Sequence, residues 1–463
     1  MFQDGLLEYS CLRVTLKSWG HMVRASCPHF LIRGLNVKGS FFYCLNRYPA
    51  PPTDDPPLTA LYESLTTNIP HPVMGYTEHL FPPSTPLFPD AAAVQAYLES
   101  YAFRFNLIPF IRFNVTVTHA AWIHDHWRVT VSTGEALEFD NLVVANGHYR
   151  LPNVPDIPGL DRWMSSNRAS HSAWYRRPHD FGRKVLIVGD GPSGRDITAE
   201  MRDHAQTVIH SVSGSISRDD GCFKLRGKPL HFYDDGRVLF EQGIIEEDID
   251  HCILATGFQI DFPFFDDDTI KIGNIPSHSP LPTDLHNSRR HVYPLAKYLF
   301  PLQSCYPVTS VAFMVLLFKV VPFPMAEAQA RAIVRAFADP ASLDLKQEAD
   351  NVLSRSRALV AAGASSPHQL AKTWFRFSGE EQWDYRDELF AYGAGSGDCP
   401  ATKVTAWEKE IYANKNVLRA AWVELEKKEE SQRWVEGVGE GGVQEWVEMM
   451  YRLLRHARSR ALL

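Results

Sequence analysis

The chain has no CxxC pair. Its seven cysteines, Cys11, Cys27, Cys44, Cys222, Cys252, Cys305 and Cys399, are odd in number and scattered. That pattern excludes a paired-cysteine zinc site and a disulfide framework, and it points to a reduced, cytoplasmic setting. No metal site is expected. Positive charge is scarce too. Lys and Arg number 47 against 54 Asp and Glu, a formal net charge of −7, which argues against a nucleic-acid partner. No apolar run approaches the ~18 residues of a membrane span. The longest, Val311 to Phe318, stops at Lys319 and reads as a buried element. The N-terminus shows no charged-then-apolar signal segment, so the expectation is a soluble intracellular protein. What is present is ordinary globular composition: 463 residues, 45% hydrophobic and 22% charged. Disordered and fibrous classes are thereby excluded, and there is chain enough for two or three domains with cores of their own.

Residues 1–50 show no clear periodicity. From 50 to 90, prolines cluster (Pro51, Pro52, Pro56 and Pro57, then Pro82, Pro83, Pro86 and Pro89), which favours ordered loops over helix. Ala91 to Phe105 read as a helix burying Val94, Tyr97, Leu98 and Tyr101. From Asn114 the period becomes two. Val115 and Val117, then Trp127, Val129 and Val131, read as strands with a turn at Thr133-Gly134, and Leu142 to Ala145 as a buried strand. In the tail, Trp407, Ile411, Leu418, Trp422 and Leu425 recur at helical spacing. A glycine-rich break at Glu436–Gly442 precedes a second amphipathic helix, Val443 to Leu454.

A new unit begins at Lys184. Val185 to Val188 is an apolar strand, and Gly189-Asp190-Gly191-Pro192-Ser193-Gly194 follows. A helix from Arg195 to about Ala205 and a strand from Thr207 to Val212 come next. Alone, GxGxxG says little. Between a strand and a helix it is the dinucleotide fingerprint of a doubly wound α/β sheet. Gly189 permits the tight turn, Gly191 lets backbone approach a diphosphate, and Gly194 permits close helix–strand packing. The helix N-terminus offers N–H groups and a positive dipole end to phosphate. The bland alternative is a glycine-rich turn with no ligand. The next strand ends in Ser211-Val212-Ser213, without the acid an NAD ribose needs. Arg218, Lys224, Arg226 and Lys228 follow. Missing acid and available base favour NADP. There is also a weak repeat: Asp140-Asn141-Leu142-Val143-Val144-Ala145-Asn146-Gly147 against Asp250-His251-Cys252-Ile253-Leu254-Ala255-Thr256-Gly257. Two such strand ends suggest two dinucleotide-binding halves.

Several stretches in order resemble the flavin-containing monooxygenases in their fungal, soluble form. They are Leu61 to Asn68, Ala145 to Tyr149 with Pro152 to Gly159, and His171-Ser172-Ala173-Trp174-Tyr175-Arg176 leading into Gly189 to Asp196. Ala255-Thr256-Gly257-Phe258 and Pro322 to Gln329 complete the set, and the likeness runs from about residue 50 to 390. The resemblance implies an α/β fold of two Rossmann-like domains, an FAD domain interrupted by an NADP domain. The expected limits are 1–175 for the first FAD part, 176–289 for the NADP domain and 290–463 for the second FAD part. It implies FAD, NADPH and O2, with one oxygen passing from a C4a-hydroperoxyflavin to an amine or thioether substrate. Asn68 matches the family asparagine beside flavin and nicotinamide and is the catalytic candidate. Thr67, Asn68, Gly189, Gly191, Ser193, Gly194, Arg195, Asp196 and Arg218 are the cofactor-binding candidates, with Gln329 as a flavin-lining one. His148 and His171 are expected to orient rather than act as bases.

The departures lie early. The family opens with a GxGxxG for the FAD diphosphate, but Gly5, Gly20, Gly34 and Gly39 form no G-x-G. The family's Phe-x-Gly before the motif histidine is also absent, Ser165 and Asn167 standing there instead. The expectation is that the first ~50 residues are not the family's own N-terminus, as from a truncated or misjoined reading frame. Sequencing the transcript's 5′ end would decide this. The competing readings are a Baeyer–Villiger-type oxygenase, and an impaired NADP-binding protein that has lost its FAD phosphate loop.

Overall fold

The computed structural model describes residues 57, 59–273, 276–395 and 403–460. The expectations for residues 1–50, including Cys11, Cys27 and Cys44, lie outside the described residues, as does Cys399. Cys222, Cys252 and Cys305 are free thiols.

The described chain divides into two units. The smaller contains residues 59–65 and His148–Gln259 and is built on one sheet. Its strands are β1 (Ala169–His171), β2 (Lys184–Val188), β3 (Thr207–Ser211), β4 (Arg218–Asp220), β5 (Phe223–Arg226) and β6 (His251–Leu254). Their spatial order is β1-β6-β2-β3-β5-β4, with all pairs parallel except β5–β4. Central parallel strands are buried on both faces and so read as continuous apolar runs. Val185, Leu186 and Ile187 are fully buried accordingly. Alternation still sorts them. Leu186, Val188, Ile209, Cys252 and Leu254 join Trp163, Phe232 and Phe240 in one core. Helix α1 (Pro192–Met201) connects β2 to β3 and buries Ile197 and Met201. Each such side chain contributes about 1.5–3 kcal/mol.

The larger unit contains Thr66–Gly147 and the chain from Ile260 onward. A three-stranded antiparallel meander, Val117–Ile123, His126–Val131 and Ala136–Phe139, turns at Gly134 with φ +85°. Leu142–Val144 then pairs in parallel with Val311–Phe313. The helix Pro322–Ala338 is buried along nearly its whole length, against the helix Glu381–Ala394. Their approach is close enough that a Cβ on Gly393 would lie 2.9 Å from the Cβ of Arg331. The C-terminal helices bury Leu418, Trp422 and Leu425, then Trp446, Met450, Leu453 and Leu454. Among the described residues no helix is long and apolar enough to cross a membrane.

This division differs from limits at 176 and 289, for two physical reasons. β1 pairs in parallel with β6, and Leu151–Pro152 pairs with Phe258–Gln259, which together draw the chain ahead of 176 into the smaller unit. The Ala120 N–H donates to the Phe264 carbonyl at 2.8 Å, and Asn287 pairs with Val292, which ties 260–289 to the larger unit. The helix expected from Arg195 begins at Pro192, and it ends at Met201 rather than near Ala205.

Candidate functional site

The smaller unit's site is the turn between β2 and α1. Gly189 has φ +116°, a conformation that favours glycine, and a Cβ there would lie 2.4 Å from the Ala255 carbonyl oxygen. A Cβ on Gly194 would lie 2.0 Å from the Gly189 oxygen. These two glycines are therefore required by the protein's own backbone. Gly191 is different. It caps α1 at φ −74°, ψ 176°, which any residue adopts, and a Cβ there would meet no protein atom within 4 Å. The space it leaves lies at a helix N-terminus, where unpaired N–H groups and the dipole favour an anion. That is the fit expected for a cofactor diphosphate.

The side chains around the turn are already engaged. Arg195 Nε and a terminal nitrogen donate to the two Asp190 oxygens at 2.9 and 2.8 Å. This bond holds the Asp190 carboxyl below its usual range and raises the Arg195 guanidinium. Asp196 accepts from the Tyr62 hydroxyl at 2.8 Å, tying α1 to the segment 59–65. Ser193 is buried. His210, which no sequence signal singled out, places Nε2 2.9 Å from the Gly189 carbonyl. At the far end of the turn, Ala255-Thr256-Gly257 is held by Asn153. Thr256 Oγ1 donates to the Asn153 carbonyl at 2.6 Å, and Asn153 Nδ2 returns a bond to the Thr256 carbonyl at 3.0 Å. His171 donates from Nε2 to the Gly257 carbonyl (2.9 Å) and accepts the Ala173 N–H on Nδ1 (3.1 Å). Burial pushes its pKa down to about 4. A neutral ring with both nitrogens spent on backbone orients the turn.

The four basic residues after β3 are not equivalent. Lys224 and Arg226 are drawn to the buried Glu246, at 3.0 and 2.5 Å, together with Lys184 at 2.9 Å. Arg218, on β4, is exposed, and its guanidinium has no ion-pair partner among the described residues. Lys228 is exposed as well and likewise has no ion-pair partner among the described residues, so these two are the cations of the four that no carboxylate holds.

In the larger unit, Thr66 bridges to Asp90 and the Thr67 N–H donates to the Pro89 carbonyl at 2.9 Å. Asn68 stands exposed at the following bend, between buried Thr67 and Ile69. Its amide bonds to no described residue. Thr67 Oγ1 is buried without a partner, an orphan that a bound group would satisfy. Gln329 does not sit open to a ligand. Its fully buried amide accepts the Val315 N–H at 2.9 Å and donates to the Tyr385 hydroxyl at 3.3 Å. Val315 has φ +57°, which is strained for a β-branched residue, and it follows the strand Val311–Phe313. Gln329 thus shapes the carboxyl end of a parallel strand, the place where α/β folds bind ligands. Both halves of the sequence repeat end in a left-handed glycine: Gly147 at φ 68° and Gly257 at φ 83°. His148 is buried beside Tyr149, and burial pushes its pKa down to about 3. Among the described residues no cluster of three metal-ligating side chains occurs.

Two parallel strand ends closed by Ala-x-Gly, one facing a glycine turn and a helix N-terminus, define an α/β dinucleotide-binding protein. Residues 52–219 and 220–355 match the family described as flavin-binding monooxygenase-like. The chain is 32% identical over 259 residues to flavin-containing monooxygenase FMO GS-OX5 of Arabidopsis thaliana, a match covering 50% of this chain and 55% of that one. It is 28% identical over 339 residues to a thiol-specific monooxygenase of Saccharomyces cerevisiae, covering 67% and 72%. Its fold is shared with S-allyl-L-cysteine S-oxygenase from Allium sativum, at a TM-score of 0.70 and 24% identity, covering 97% and 96%. The chain belongs to the flavin-binding monooxygenase-like family, whose chemistry is oxygen transfer with FAD and NADPH.

Proposed function

We propose that this chain uses NADPH and FAD to transfer one oxygen atom from O2 to a soft nucleophile, the other oxygen leaving as water. The observation that carries the reading is the open space beside Gly191 at the N-terminus of α1. The first turn of α1 holds the NADPH diphosphate through backbone N–H groups, and Arg218 takes the 2′-phosphate by charge-assisted hydrogen bonds. FAD, when bound, supplies the oxygen-transfer chemistry itself. Thr67 offers its orphaned hydroxyl to a cofactor. Asn68, with one acceptor and two donors free, orients cofactor groups at the bend. Sulfur is the favoured nucleophile, because the named relatives include a thiol-specific monooxygenase and an S-oxygenase. Amines remain the second substrate class.

The test is a product assay on protein reconstituted with FAD, offering a thioether, a tertiary amine and a cyclic ketone with NADPH. The expected outcome is sulfoxide formed in proportion to NADPH consumed, with hydrogen peroxide a minor product. Lactone from the ketone would instead mean Baeyer–Villiger chemistry. A protein that binds NADPH but shows no flavin absorbance after FAD is added would refute the monooxygenase reading.

A further inference from the structure

We propose that His210 is a positioning residue for the dinucleotide-binding turn: its ring holds the Gly189 carbonyl and thereby aims the N–H of Asp190. The inference rests on the reading of this turn as the NADPH site.

His210 lies on β3 opposite Ile187 of β2 and Leu225 of β5, with Val208 two residues before it on the same face. Packing alone would be met there by another aliphatic side chain. An imidazole 7% exposed at such a position costs free energy unless its polar atoms are bonded. Its Nε2 reaches out of the strand to the turn, 2.9 Å from the Gly189 oxygen. The Gly189 N–H continues the sheet ladder, donating to the Ser211 carbonyl at 2.9 Å. The Gly189 oxygen faces α1, where it approaches Gly194 so closely that a Cβ would lie 2.0 Å away. His210 is thus the donor that satisfies a carbonyl wedged between sheet and helix.

A trans peptide is planar, with its C=O and N–H pointing in opposite directions. Fixing the Gly189 carbonyl towards His210 and α1 therefore fixes the Asp190 N–H away from them. Residue 190 is the first after the tight turn, and its N–H is one of the groups a diphosphate would use. Without the His210 bond the carbonyl is an unsatisfied acceptor, and the 189–190 peptide is free to rotate away.

Two variants separate this role from simple packing. His210→Leu removes the donor but keeps apolar bulk, while His210→Gln keeps an N–H at similar reach. The Kd for NADP+ is measured on FAD-loaded protein, alongside KM and kcat for NADPH and the flavin absorbance spectrum. The leucine variant is expected to weaken NADP+ binding about tenfold and to raise the NADPH KM by a similar factor, with kcat at saturating NADPH and the flavin spectrum kept. The glutamine variant is expected to restore most of that affinity. If the leucine variant does not fold, His210→Asn replaces it, its amide being one methylene too short. Leucine (or asparagine) binding as tightly as wild type, or glutamine failing alongside it, overturns the proposal. Wild-type protein that binds no NADP+ at all overturns the reading of the turn itself.

Discussion

Arg195 and Asp190 clasp each other across the start of α1 through two hydrogen bonds, at 2.9 and 2.8 Å. Both side chains are well exposed, so the pair contributes only about 0–1 kcal/mol to stability. Its effect on binding is larger in kind. A carboxylate stands at the helix end that attracts anions, and it neutralises a guanidinium there. Asp190→Asn removes the negative charge and releases Arg195. The expected result is NADP+ bound about threefold more tightly at low salt, a gain that shrinks as ionic strength rises, with an unchanged melting temperature. Calorimetric titration at two salt concentrations checks it, and weaker binding by the variant would count against the diphosphate lying near Arg195.

The three glycines of the turn make a sharper test, because two are required by the protein and one is not. Gly194→Ala drives a Cβ to within 2.0 Å of the Gly189 oxygen, so both fold and NADP+ affinity should suffer. Gly191→Ala meets no protein atom within 4 Å and keeps an allowed backbone conformation, so its unfolding free energy should stay within about 0.5 kcal/mol of wild type. Its NADP+ affinity should still fall by about tenfold, because the new methyl enters the space a diphosphate needs. Equal affinity for Gly191→Ala and wild type would mean that no ligand occupies that space.

These contrasts show what a one-dimensional reading catches. The β2–turn–α1 unit was legible because apolar period, glycine spacing and a following helix all reinforce one another locally. A helix start at Arg195 falls three residues late because the glycine spacing assigns Pro192 to the turn, whereas proline at the first helical position is favoured. The unit boundary at His148 depends on two short pairings, Leu151–Pro152 with Phe258–Gln259 and β1 with β6, each to a segment distant in the chain, and no local pattern announces them. The same holds for side chains whose partners are distant backbone atoms. Gln329 was expected to line the flavin. Its amide instead holds Val315 N–H and the Tyr385 hydroxyl, bonds that no spacing rule reveals.

Arg218, Lys224, Arg226 and Lys228 looked alike in the sequence, and the fold separates them. Glu246, only 4% exposed, gathers Lys184, Lys224 and Arg226, which leaves those cations compensated by a buried carboxylate. Removing Glu246 takes that partner from the buried Arg226 guanidinium and should damage the fold. Arg218→Ala should leave the fold intact. It should raise the KM for NADPH about tenfold while leaving that for NADH within twofold, since only the former carries the 2′-phosphate. Steady-state kinetics with both nucleotides decides the matter. An equal loss for both would assign Arg218 to the common part of the cofactor or to folding.

The buried histidines set a pH limit whose sign follows from the direction of their shifts. His171 titrates near 4 in the folded chain against 6.5 for an unhindered imidazole, because burial disfavours its charged form. Between those values the unfolded chain takes up a proton that the folded chain refuses, so falling pH favours unfolding. Above pH 6.5 both states are neutral and the stability is fully present. It drains away as pH falls from 6.5 towards 4, by about 3 kcal/mol at most for this one ring. His71, His148 and His291, pushed down to about 3, act in the same sense. The melting temperature should therefore hold between pH 7 and 8 and drop steeply below 6. His171→Gln keeps a donor for the Gly257 carbonyl but has no proton to gain. That variant should be less stable than wild type at pH 7.5, with the gap narrowing by pH 5. Parallel melting curves for the two proteins would break the link between His171 and acid sensitivity.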